Sequence, residues 1–197
     1  MPRRTRKPMI PLPPIAFGRA ITRRRAIALG VTLVVAAVLV ALDHQVDGPI
    51  AGDDWRRYHG QTYTVVRVVD GDTLILNVPD GAEATTRVRL WGVDTPEKAG
   101  PNGSRPAEPF ADQATAFTRD LVDGQPVTIT LEPHRLRGKY GRLLVYVELQ
   151  DGSSLNQRLI EAGLSQADNR WSYARQDAFT RAQERARNAG RGMWADP

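Results

Sequence analysis

The chain has 197 residues, no cysteine and a formal net charge of +5, so neither a disulfide nor a thiolate metal site can form. The charge is uneven: residues 1–25 carry eight of the 27 basic residues (Arg3, Arg4, Arg6, Lys7, Arg19, Arg23, Arg24, Arg25) and no acid, leaving 19 basic against 22 acidic residues, a net of −3, for the rest. Bulk positive charge is therefore not how the remainder would hold a polyanion; a nucleic-acid ligand would need a local basic patch or a bound cation.

In chain order, residues 1–25 are rich in proline and arginine without hydrophobic periodicity, and read as a disordered or polyproline-like tail. Residues 26–42 contain no charge; as a helix they would reach about 25 Å, the short end of a bilayer span. Arg23, Arg24 and Arg25 precede this segment, and basic flanks stay in the cytoplasm. The expectation is a single-pass membrane anchor, N-terminus inside, with everything after Asp43 extracytoplasmic. The alternative is a secretory signal cleaved after Ala41, against which Leu39 at the −3 position counts. A buried core helix is disfavoured because no polar face interrupts the run. Residues 43–60 are acidic and aperiodic and read as a tether, which leaves 61–197 as one domain of about 140 residues.

From residue 61 the pattern changes to strands. Residues 63–69 are rich in β-branched and aromatic side chains, residues 73–78 alternate, and Asp70-Gly71-Asp72 turns between them. Pro79-Asp80-Gly81 turns the chain into a third strand at 85–90. That strand puts Val88 and Leu90 on one face and Arg87 and Arg89 on the other. After a proline-rich loop, Phe110, Ala114, Phe117 and Leu121 form one apolar helical stripe, ended by Asp123-Gly124. Strands at 127–131 and 143–149 flank the basic run Arg135, Arg137, Lys139, Arg142. Ser154 with Gln157 suggests a capping box for a second helix whose Leu155, Leu159 and Ile160 face inward. A last helix is expected from about Ser172 to Gly190, with Ala174, Ala178, Ala182 and Ala186 along one side and Trp194 behind it. The sum is an α+β domain: a five-stranded OB-type Greek-key β-barrel with three helices, preceded by one hydrophobic N-terminal helix. The three histidines (His44, His59, His134) make no i, i+4 pair, which argues against zinc held on histidine.

The chemistry concentrates in Leu90-Trp91-Gly92-Val93-Asp94-Thr95-Pro96-Glu97, where hydrophobic residues give way to two carboxylates at the start of a loop. If the second and third strands are antiparallel neighbours, Asp72 at the start of one lies beside Asp94 at the end of the other. Two carboxylates with the nearby Thr95 carbonyl and waters suit a hard cation such as Ca²⁺, with Asp70 in support. Glu97 could direct or deprotonate a water, and arginine forks match phosphate oxygens. Singly, each signal has an ordinary alternative: a plain turn for Asp-Gly-Asp, a solvated hairpin tip for the basic run, a surface cation for Arg89. Together they fit phosphodiester hydrolysis, which needs a cation, donors to the phosphate and a positioned water.

Val69-Asp70-Gly71-Asp72-Thr73, then Arg89-Leu90-Trp91-Gly92-Val93-Asp94-Thr95-Pro96-Glu97, then Lys139-Tyr140-Gly141-Arg142 resemble, in order and spacing, the motifs of the staphylococcal nuclease (thermonuclease) family. The resemblance covers residues 63–194. It implies an OB-fold, Ca²⁺-dependent endonuclease that acts on DNA and RNA and leaves 3′-phosphate ends. By position it makes Asp72, Asp94 and the Thr95 carbonyl the calcium ligands and Arg89, Glu97 and Arg142 the catalytic trio. Lys139 and Tyr140 then match residues that contact the substrate's phosphate and sugar. Two departures stand out. Gly138 occupies a position commonly acidic in the family, and residues 167–173 do not match its tyrosine-rich nucleotide loop. Trp171 and Tyr173 are available there for base stacking, with at least one of them expected in the core.

The expected partners are therefore a nucleic-acid substrate and, through residues 26–42, a membrane; the protein is expected to be monomeric. Two other functions compete: a catalytically silent OB module binding nucleic acid or protein, and a tethered interaction domain whose ligand is not nucleic acid, for which the −3 charge speaks.

Overall fold

The structure is a computed structural model that describes residues 49–195. The basic tail, the apolar segment 26–42 and the first part of the tether lie outside the described residues. Among the described residues no helix is long and apolar enough to cross a membrane.

β1 (Gln61–Asp70), β2 (Thr73–Leu76), β3 (Thr86–Leu90), β5 (Pro126–Thr130) and β6 (Leu143–Glu148) close in the order β1-β2-β3-β6-β5, and β4 (Val93–Asp94) pairs separately with β7 (Gln166–Ala167). All barrel neighbours are antiparallel except β3 and β6. β1 is long enough to serve both sides of the closure: residues 61–64 pair with β5 and residues 65–70 with β2, with irregular register between Val65 and Arg67 and between Val68 and Asp70. Bulges of this kind bend and twist a strand, which lets one strand turn the corner of a small barrel. The interior is apolar: Val65, Leu74, Leu76, Val88, Ile129, Leu143, Val145 and Val147 are fully buried.

Three helices follow the expected order. In α2 (Ala111–Val122) the buried face is Ala111, Ala114, Thr115, Thr118 and Val122. The expected stripe of Phe110, Phe117 and Leu121 sits beside it, half-buried. Hydroxyl donation makes the threonines acceptable inside: Thr115 donates to the Ala111 carbonyl at 2.9 Å and Thr118 to the Gly71 carbonyl at 2.7 Å. α3 (Leu155–Glu161) begins at Ser154, whose hydroxyl accepts the Gln157 amide at 3.4 Å, while the Gln157 side chain turns forward to Glu161 at 2.8 Å. The capping box is thus half made. α4 (Gln176–Asn188) starts later than expected, because Tyr173 is drawn into the core against Trp91 and Phe179. Phe179, Ala182 and Ala186 are buried along it, and the Arg187 guanidinium stacks 4.1 Å over Trp194.

The tether is where the structure departs most from the sequence reading. Pro49–Tyr58 forms a helix, α1, so the described domain begins twelve residues before 61 and has four α-helices rather than three. Pro suits the first helical position, and Gly60, at φ 73, turns the chain out of the helix. Tyr58 is completely buried and shares a 3.0 Å hydrogen bond with Thr86, and Trp55 stacks on His59 with centroids 3.8 Å apart.

Candidate active site

The turn between β1 and β2 and the end of β3 lie side by side because Thr73 pairs with Arg89, and the Leu90 amide donates to the Asp72 carbonyl at 2.8 Å. Asp72 is fully buried there. Its Oδ1 accepts from Arg89 Nη1 and from the Thr73 hydroxyl, and its Oδ2 accepts from the Thr95 amide at 3.1 Å and the Thr95 hydroxyl at 2.8 Å. Asp70 acts on the backbone, its Oδ1 accepting the Asp72 amide at 3.2 Å. Gly71 is required by close approach: a Cβ there would come within 2.9 Å of three Thr95 side-chain atoms. The Asp-Gly-Asp turn is thus a seat for Thr95, and Thr95 in turn holds Asp72. Burial pushes the Asp72 carboxyl up to about 7, with Arg89 pulling it down, Asp70 adding to the rise and the Thr95 hydrogen bonds lowering it.

Asp94 completes the pair. Arg89 Nη2 donates to its Oδ1 at 3.1 Å and Arg170 Nη2 to its Oδ2 at 3.1 Å, while its amide donates to the Ser165 hydroxyl at 3.0 Å. One guanidinium therefore bridges Asp72 and Asp94, which places both carboxylates within reach of a single cation. Among the described residues no third acid or histidine joins them to make a side-chain metal cluster. A hard cation there would need backbone oxygen and water to fill its shell.

From Asp94 a cleft of about 360 Å³ opens, lined by Arg89, Asp94, Glu97, Lys139, Tyr140 and Arg142, among others. Arg89, Arg135, Lys139, Arg142 and Arg170 face it against Asp94, Glu97 and Asp168, a local positive surplus on a domain that has none overall. Arg142 forms no salt bridge among the described residues; its guanidinium lies 5.8 Å from the centre of the Tyr140 ring, and Tyr140 is 76 % exposed. Glu97 is half in solvent and steadied by the loop that follows: Arg105 donates to its Oε2 at 3.1 Å, and the Glu97 amide donates to Glu108 Oε2 at 2.9 Å.

So the structure brings Arg89, Asp94, Glu97, Lys139, Tyr140 and Arg142 to one cleft, with Asp72 directly behind Arg89. Thr95 is buried against Asp72 and lines a neighbouring hollow of about 300 Å³ with Glu97 and Glu108. Of the two aromatics in 167–173, Tyr173 is core and Trp171 is 52 % exposed, stacked by the Arg135 guanidinium at 4.0 Å. Arg137, one of the expected basic patch, is not among the residues lining the cleft.

Sequence reasoning missed Arg170 and Asp168. Asp168 receives Arg170 Nε at 2.7 Å and Nη2 at 2.9 Å; burial raises its carboxyl, but these hydrogen bonds outweigh that and hold it below the usual range. In the sequence the pair is marked only by its i, i+2 spacing.

The family model described as Staphylococcal nuclease homologue matches residues 87–196. The chain is 33% identical over 175 residues to the Thermonuclease of Staphylococcus hyicus, covering 87% of this chain and 99% of that protein. It is 37% identical over 147 residues to the Thermonuclease of Staphylococcus intermedius, covering 73% and 82% respectively. To the Micrococcal nuclease of Shigella flexneri it is 31% identical over 186 residues, covering 90% and 88%. With the barrel, the bridged carboxylates and these similarities together, the chain belongs to the staphylococcal nuclease family.

Proposed function

We propose that this nuclease is a Ca²⁺-dependent endonuclease that hydrolyses phosphodiester bonds of DNA and RNA by attack of water. The bridging of Asp72 and Asp94 by one guanidinium, at the head of a cleft that also holds Glu97 and Arg142, carries this reading. The donor set fits a hard cation: Asp72 and Asp94 supply carboxylate oxygens and Thr95 a carbonyl, and a fully buried carboxylate gains most from a positive neighbour. Bound there, Ca²⁺ supplies Lewis-acid neutralisation of the phosphate's charge.

The remaining work belongs to the chain's own side chains. Glu97, exposed on one side and steadied by Arg105 on the other, orients a water and takes its proton at a carboxylate oxygen. The water oxygen bonds to phosphorus, and the bond from phosphorus to the 5′ oxygen breaks; that oxygen takes a proton from solvent water and departs as the 5′-hydroxyl, leaving the phosphate on the 3′ side. Arg89 and Arg142 hold the non-bridging oxygens as charge builds on them. Lys139 and Tyr140 grip the neighbouring phosphate and sugar. We also assign residues 26–42 as the membrane anchor, with the nuclease domain extracytoplasmic; protease accessibility in intact cells tests this, and a protected domain would overturn it.

The test of the chemistry is incubation of the purified full chain with single-stranded DNA, in Ca²⁺ and then in excess chelator. Cleavage that chelator abolishes is expected. Binding without cleavage would make the protein a silent OB module, and neither binding nor cleavage would move its ligand outside nucleic acids.

A further inference from the structure

Arg137 lies in the same acid-free run as Lys139 and Arg142, yet it is not among the cleft-lining residues and is fully engaged elsewhere. Its Nε and Nη2 donate to Asp54 Oδ2 at 2.6 Å and Oδ1 at 2.7 Å. Its Nη1 and Nη2 donate to Asp80 Oδ2 and Oδ1, both at 2.8 Å. Nη1 also donates to the Gly141 carbonyl at 2.9 Å. A single fork thus joins helix α1, the turn between β2 and β3, and the segment that carries Lys139, Tyr140 and Arg142.

The arrangement is partly dry. Side-chain exposure is 23% for Arg137, 8% for Asp54 and 28% for Asp80. Hydrogen bonds to Asp54 and then Asp80 hold the Arg137 charge firmly on, so it does not titrate away. Bidentate contacts of this kind fix a direction as well as a distance. What they fix here is a hairpin tip whose internal ties are few. The Gly138 amide donates to the Arg142 carbonyl at 2.9 Å, the Gly141 amide to the Gly138 carbonyl at 3.0 Å, and the Leu144 amide to the Leu136 carbonyl at 2.8 Å. Two of the residues in this tip are glycines, and Gly141 sits at φ 73 immediately before Arg142. Left to itself such a tip would sample several conformations, and among the described residues no ion pair on Arg142 stops it. The bond from Arg137 to the Gly141 carbonyl is applied one residue before the side chain that must be aimed.

We propose that Arg137, clamped by Asp54 and Asp80, is a positioning residue: it orders the 138–142 tip from outside the cleft so that Arg142 is presented to substrate already in place. This rests on the reading that Arg142 acts in cleavage. Helix α1 thereby becomes part of the catalytic apparatus, since Asp54 is its contribution to the clamp. An aspartate on the inner face of α1 is otherwise a costly choice, because an apolar residue there would join the core without a partner.

Two measurements on the full chain test the clamp, and they fail separately. The first needs no activity. In Arg137→Gln, amide hydrogen exchange at Gly138 and Gly141 should quicken at least tenfold while the β5 and β6 amides stay protected; unchanged rates at the two glycines would overturn the proposal even if the protein proved not to be a nuclease. The second is kinetic, with single-stranded DNA and saturating Ca²⁺. Arg137→Gln should lower kcat about tenfold, as misplacement of a catalytic group does, with KM moving less than threefold. The same change made in an Arg142→Lys background should cost less than twofold. An equal tenfold loss in both backgrounds would mean that Arg137 does not act through Arg142. Should Arg137→Gln fail to fold, Asp80→Asn leaves the Asp54 contacts intact and must show the same dependence on Arg142, with a smaller first step.

Discussion

The two ends of the cleft are built in opposite ways. At the carboxylate end Asp72 is wholly buried and both its oxygens are bonded, by Arg89 and Thr73 on one side and by Thr95 twice on the other. At the cationic end Tyr140 stands in solvent and Arg142 has no ion pair among the described residues, while the order comes from behind, through Arg137. On the proposed function, the difference follows from what each end would hold. A cation site works by fixing negative charge out of water before the cation arrives, at the cost of an unfavourable buried charge. A phosphate grip must keep its guanidinium uncommitted, because a fork already paired with a carboxylate has nothing left to donate. Arg89 sits between the two, bonded to both carboxylates and facing the cleft; in the proposed mechanism it turns to phosphate once a cation takes its place beside them.

This contrast can be broken at either end. The largest effect is expected for Arg89→Ala in chelator, which strips Asp72 of its charged partner; breaking a buried pair costs about 3–5 kcal/mol. Thermal melting should show a fall of that size, and added Ca²⁺ should restore much of it. Recovery absent with Ca²⁺ would mean that the carboxylates do not share a cation. Glu97→Gln comes next, slowing cleavage by roughly 10²–10³, or about 3–4 kcal/mol of barrier, with melting unchanged because Glu97 is half exposed. Gly71→Ala should destabilise by about 1–3 kcal/mol through overpacking against Thr95; a neutral result in chemical denaturation would show that Thr95 can yield. The smallest is Arg170→Ala. It removes a positive charge from Asp94 in an exposed pair worth roughly 0–1 kcal/mol, so calorimetric Ca²⁺ affinity should rise by no more than about fivefold. A fall in affinity would mean that Arg170 orders Asp94 rather than competing for it.

Much of this is legible in the sequence alone. Alternation in 85–90 set Arg89 on the opposite face from Val88 and Leu90, and the burial of β3 follows that alternation. The antiparallel register of β2 and β3 sets Thr73 opposite Arg89, whose guanidinium bridges Asp72 and Asp94; Asp94 itself lies in the separate β4 rather than at the end of the third strand, where the turn positions put it. The five barrel strands are visible as β-branched and apolar runs between turn residues that act locally, whereas the closure that sets β3 parallel to β6 joins segments far apart in the chain. What stayed hidden depends on partners far along the chain. Helix α1 is hard to read because its apolar pair Trp55 and Tyr58 shares a face with buried Asp54, made tolerable by Arg137 83 positions away. Arg137 and Arg142 look alike within one basic run; their separate fates are decided by Asp54 and Asp80, which no local spacing connects to them. Arg170 reaches Asp94 across 76 residues through the short β4–β7 ladder, an element too brief to register as a periodic signal.

The most direct test of the account is the rate of single-stranded DNA cleavage by the full chain as free Ca²⁺ is varied, in the unaltered protein and in Asp94→Asn. The account predicts no cleavage in chelator, a saturable rise with Ca²⁺, and a midpoint at least tenfold higher in Asp94→Asn. Cleavage that survives chelation, or the same midpoint in both proteins, would contradict it.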